Sequence, residues 1–196
     1  MLTRVYLVGI AYIGLAAFAI GRGRPSVEPI EPHVATPQLT AEAGGSARDW
    51  FTSIKPFCNT VEVETALRQS RPPEGSGFQG PGFEAACLAL AGRVEQARAV
   101  IGALDADHRW KAAGIVFEVA HPVADAGDDK SAGPIMAMVV DFWPNHYMAL
   151  YHAGASEYAL GDFARARAHL EAFLRNYSAE DGWRSNARRL LAEMSR

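Results

Sequence analysis

Three glycines constrain this chain more than any other feature: Gly92, Gly127 and Gly161 stand 35 and 34 residues apart. Five residues beyond each comes an alanine, Ala97, Ala132 and Ala166. Four further on stands a larger apolar residue (Ile101, Met136, Leu170), and three beyond that another (Leu104, Val139, Phe173). Steps of four and three keep side chains on one face of a helix. Glycine supplies the backbone conformation that a tight turn between helices demands. Self-similarity at this period marks stacked supersecondary units, none of which can bury its apolar face alone. The expected fold is therefore all-α, an array of antiparallel helix pairs.

Composition agrees where it bears on this point. Alanine accounts for 35 of 196 residues. It is the strongest helix former and a weak strand former, which excludes an all-β fold. Two cysteines are too few for a disulfide scaffold or a cysteine-rich zinc module. With 22 acidic against 19 basic side chains, the chain lacks the basic surplus of a nucleic-acid binder, and no nucleic-acid partner is expected.

Three segments, 83–104, 112–145 and 147–177, share a helix–turn–helix outline around the three glycines. The last is the fullest, with Gly154, Leu160-Gly161-Asp162-Phe163, Ala166, Leu170 and Phe173. This pattern resembles the tetratricopeptide-repeat (TPR) family. The resemblance implies a solenoid of three repeats over 79–180, with Asp162 capping the second helix of the third unit. It also implies a partner-binding groove built from first helices, which places Met148, Tyr151, Ala155 and Tyr158 on that face. The basic carboxylate clamp of the chaperone-binding subclass has no counterpart at the matching positions. Departures are visible as well. Glu157 stands where the family has an aromatic, Pro81 stands where it has a large apolar residue, and Pro134 falls early in a second helix. Pro122 implies that its helix breaks near His121 or that the middle repeat is distorted.

The flanks suit such an array. Trp183, Ala187, Leu190, Leu191 and Met194 fall on one helical face, giving a capping helix over 181–196, with Ser178 and Asp181 as its capping box. Upstream, 46–78 is expected to hold an N-terminal helical pair divided by Pro56, followed by a Gly/Pro loop that runs to Gly82.

The beginning of the chain has a different character. Residues 5–21 carry no charge and are bounded by Arg4 and Arg22. A helix of that length spans roughly 25 Å, at the short end for a bilayer core. Two readings stand. Residues 1–22 are a retained single-pass anchor that meets the lipid bilayer through 5–21. Alternatively they are a signal peptide, cleaved after Ala17-Phe18-Ala19 to release a soluble periplasmic adaptor. The anchor is the reading adopted, in a bacterial-type inner membrane with the C-terminal domain periplasmic. Residues 23–45 contain Pro25, Pro29, Pro32 and Pro37 and read as a semi-rigid linker.

Motifs for chemistry are sparse. Gly75-Ser76-Gly77-Phe78-Gln79-Gly80 matches GxGxxG, but Pro72-Pro73 before it and Pro81 after it deny the strand and helix that a dinucleotide site requires. Cys58 and Cys87 are either a disulfide, closing a loop of about 30 residues, or two buried thiols. The histidines form no HExxH or HxxxH pair, and no metal site is expected. Asp125, Asp128 and Asp129 lack the ligand spacing of a calcium loop and suit helix capping. No catalytic grammar appears, so no cofactor and no enzymatic activity are expected. The reading is a non-enzymatic interaction subunit that binds other protein subunits of a membrane complex.

Overall fold

The computed structural model describes residues 45–196. The expected anchor at 5–21 and nearly all of the linker lie outside the described residues. Among the described residues there are nine α-helices and no strand. They are α1 (Ala47–Ile54), α2 (Val63–Gln69), α3 (Gln79–Leu90), α4 (Val94–Gly102), α5 (Ala106–Asp125), α6 (Asp129–Phe142), α7 (Tyr147–Ala159), α8 (Phe163–Asn176) and α9 (Gly182–Glu193). A short 3-10 turn, Lys55–Phe57, follows α1 at Pro56. None of these helices is long and apolar enough to cross a membrane.

The three glycines close three helices in the same way. Gly92, Gly127 and Gly161 have φ of 75°, 78° and 85°. In each case the glycine N–H donates to the carbonyl three residues back (Ala89, Ala124, Tyr158). The next N–H donates to the carbonyl five residues back (Leu88, Val123, Glu157). This paired pattern satisfies carbonyls that the helix end would otherwise leave unbonded. After two of the turns an aspartate starts the next helix: Asp128 accepts from the Ser131 N–H at 3.1 Å and Asp162 from the Arg165 N–H at 3.2 Å. The first turn has Arg93 at this position and no side-chain cap.

The turns pair α3 with α4, α5 with α6, and α7 with α8, and each pair packs on the next, α3 against α5 and α6 against α7. Ala97, Ala132 and Ala166 are fully buried, as are Ile101, Met136 and Leu170. A small residue at that position lets paired helices approach closely. Gly154 of α7 serves the same end. A Cβ there would stand 2.7 Å from Leu170 Cγ and 3.1 Å from the Leu170 backbone nitrogen. We expect Gly154→Ala to destabilise the domain by about 1–3 kcal/mol through overpacking, although alanine is the better helix former. A urea midpoint at or above that of the wild type would contradict this.

Both flanks attach to the array. Ser46 and Asp49 form a reciprocal capping box at the start of α1. Phe51 of α1 stacks on Phe83 of α3 at 5.1 Å, and the buried Trp50 Nε1 donates to Ser70 Oγ at 2.9 Å. Cys58 and Cys87 are joined in a disulfide that fixes the segment after α1 to α3, with Cα atoms 4.8 Å apart. At the other end α9 packs on α7 and α8. Ala187 and Leu190 enter a core with Leu150, Tyr151, Leu170 and Phe173.

Several local expectations need correction. The Gly/Pro loop ends before Gln79, because Pro81 occupies the first turn of α3, where its missing N–H has no intrahelical partner to lose. Helix α5 does not break at His121 but continues through Pro122 to Asp125. Pro122 and Glu118 both lie on the exposed side, so the carbonyl that loses its partner faces solvent. The α9 cap is Asp181, which accepts from the N–H groups of Trp183 and Arg184, and Ser178 takes no part. Glu157 is buried. It bonds His169 Nδ1 at 2.6 Å and pairs with Arg165 Nε at 3.0 Å, a contact without hydrogen-bond geometry.

Candidate functional site

The face expected to hold a partner is occupied by the chain itself. Tyr151 is 6% exposed, with its ring edge-on to Phe173 and Trp183 at 5.3 and 4.8 Å. Its hydroxyl accepts a hydrogen bond from Asn186 Nδ2 of α9. The Tyr158 hydroxyl donates to Glu193 Oε2 of α9 at 2.6 Å. Met148 and Ala155 are half-buried. Tyr151 and Tyr158 lie on α7, and α9 satisfies both hydroxyls. A buried Tyr with its hydroxyl bonded holds a helix in place rather than waiting for a ligand.

A second aromatic surface is open. Trp110 on α5 is 42% exposed and meets Trp143, at the end of α6, edge to face at 5.2 Å. With Phe78, Phe83, Arg48 and Lys111 these rings line a groove of about 340 Å³ between α1, α3 and α5. Cations lie over the rings: Lys111 Nζ is 5.7 Å from the Phe78 centroid and 5.6 Å from that of Trp110, and the Arg48 guanidinium is 5.2 Å from Phe83. Arg48 also pairs with Glu118 at 3.3 Å across the rim. Such a groove offers flat apolar faces with a charged edge, the composition of a binding hot spot. Nothing in the spacing announces it, because Trp110 and Trp143 are 33 residues apart and belong to no shared pattern.

A third arrangement joins α5 to α7. His121 and Asp125 stand one turn apart on α5, and His152 of α7 faces them. The Nε2 atoms of His121 and His152 are 3.1 Å apart. Asp125 Oδ1 lies 3.4 Å from the first and 3.5 Å from the second. Phe117 stacks on His121 at 4.7 Å, and Trp183 meets His152 edge-on at 5.7 Å. The sequence signal is the i, i+4 His–Asp pair, hidden because its third member comes from another helix pair. Among the described residues, these three bring donor atoms together closely enough to hold a metal ion.

Burial pushes His152 down to about 4, the nearby His121 adds to the effect, and Asp125 and Asp129 oppose it. An unfolded histidine titrates near 6.5, so the unfolded chain takes up this proton first as pH falls. The stabilisation from a neutral His152 is full above about pH 6.5 and is lost progressively toward pH 4. Urea unfolding with a chelator present should show a smaller drop between pH 7 and pH 5 for His152→Asn than for the wild type. Parallel curves would contradict this.

The chain matches no family model, no curated protein and no solved structure.

Proposed function

We propose that this chain is a membrane-anchored, non-enzymatic interaction subunit, in which a TPR-like solenoid presents the Trp110–Trp143 groove to another protein of a membrane complex. That groove is the observation that carries the reading. Trp110 is exposed beside the half-buried Trp143, with Lys111 over the Trp110 and Phe78 rings, and exposed aromatic surface of this kind marks protein contacts. The Cys58–Cys87 bond supports a location outside the reducing cytosol, on the periplasmic side of the membrane reached through 5–21. Repeat arrays bind through extended surfaces, and residues 46–196 would act as a scaffold that stabilises a larger assembly.

The full chain purified in mild detergent is expected to come with fixed membrane-protein partners in constant stoichiometry. Trp110→Ala, which removes the exposed ring, should lower that stoichiometry while the melting temperature of the domain stays within a few degrees. Recovery of a monomer alone would overturn the reading. N-terminal sequencing of native protein separates the two topologies: a start at Met1 supports the anchor, and a start at Ile20 supports the cleaved adaptor.

A further inference from the structure

We propose that His121, Asp125 and His152 form a zinc site that ties α5 to α7 and leaves one coordination position open to solvent. The three donor atoms form a triangle with edges of 3.1, 3.4 and 3.5 Å. Tetrahedral ligands at zinc bond lengths of about 2.0–2.1 Å stand about 3.3–3.4 Å apart. Octahedral ligands at similar bond lengths stand about 3.0 Å apart. The observed edges therefore fit three corners of a tetrahedron. The circle through the three atoms has a radius of about 1.9 Å, which seats an ion slightly to one side of their plane at zinc distances.

Hydrogen bonding alone accounts for this convergence poorly. A neutral imidazole carries one N–H, so two facing Nε2 atoms share a single proton. Asp125 Oδ1 is then too far from either nitrogen for a charge-assisted bond, which runs to about 2.7–2.9 Å. An ion at the centre would be within bonding reach of all three donor atoms at once. Two neutral nitrogens and one carboxylate suit a borderline divalent ion such as zinc. Phe117 and Trp183 fix the imidazole planes from outside, as the surroundings of metal ligands do. Access is available as well: His152 is buried, whereas Asp125 is about half exposed on the last turn of α5. The fourth position faces that opening and would take water or a ligand from a partner. Because α5 and α7 belong to successive helix pairs, the ion would brace the array across its repeats.

The test uses the full chain in mild detergent, stripped with a chelator, dialysed and titrated with Zn²⁺ by calorimetry. One equivalent is expected to bind and to raise the melting temperature. Asp125→Asn, on an exposed position that leaves the core intact, should weaken binding by at least about tenfold, and His121→Asn should abolish the one-equivalent step. A variant of the distant His169, His169→Asn, should bind as the wild type does. Co²⁺ in place of zinc should give the intense visible bands of a tetrahedral site. No stoichiometric uptake, uptake unchanged in both Asp125→Asn and His121→Asn, or the weak bands of octahedral Co²⁺ would each overturn the proposal.

Discussion

Replacing Phe173 with alanine is expected to destabilise the domain by about 3–5 kcal/mol, the range for deleting a fully buried aromatic ring. Phe173 has no exposed surface. It stacks on Tyr177 at 5.0 Å and meets Tyr151 edge-on at 5.3 Å, in the core shared by α7, α8 and α9. No neighbouring side chain is long and free enough to fill the space, since Leu150, Leu170 and Ala187 are themselves fixed by packing. The loss should be local first. In an array where each helix pair contacts its neighbours, hydrogen exchange should rise over α7–α9 before α1–α4. Position 104 is the matching position of the first unit, but Leu104 lies beyond the end of α4 and is only partly buried. Leu104→Ala should therefore cost about 1 kcal/mol, a partial burial of a few methylenes. Equal losses for the two variants, or a loss below 1 kcal/mol for Phe173→Ala, would contradict this account.

Removing the Cys58–Cys87 bond is expected to cost about 3–4 kcal/mol. The bond closes 29 residues of chain. Cross-linking that length limits the unfolded ensemble by roughly this amount in the chain-entropy model. The closed segment contains Pro72, Pro73, Gly75 and Gly77, a stretch with little packing of its own, so the bond adds to the apolar contacts of α1 in holding this end to α3. For a domain of this size the loss should lower the melting temperature by about 10 °C. Paired Cys58→Ala and Cys87→Ala substitutions should match the effect of reductant on the wild type, and reductant should then add nothing. Both sulfurs are buried, so reduction should be slow until the domain opens. A melting temperature indifferent to reductant and to the substitutions would remove the support that the bond gives to a periplasmic location.

The all-helical fold and the three turns were legible in the chain because glycine, alanine and large apolar residues recur at fixed offsets. Turn chemistry and helical periodicity act locally, so sequence displays them directly. Asp162 reads as a cap for the same reason. What escaped depends on packing between elements. Pro122 reads as a break, yet α5 continues to Asp125, with the lost bond on the solvent side. The tyrosines of α7 read as a free groove until α9 supplies Asn186 and Glu193 to their hydroxyls. His152 and Trp143 acquire their meaning only once α6 and α7 are laid beside α5, a relation that no spacing within one helix encodes.

The central claim is that the Trp110 groove meets a partner protein, and site-specific photocrosslinking in the native membrane tests it most directly. A photoreactive amino acid at position 110 is expected to give one discrete heavier adduct, weakened when Trp143 is replaced by alanine. The same probe at position 171, exposed on α8, should leave the chain uncrosslinked. Monomer alone from position 110, or the same adducts from both positions, would contradict the claim.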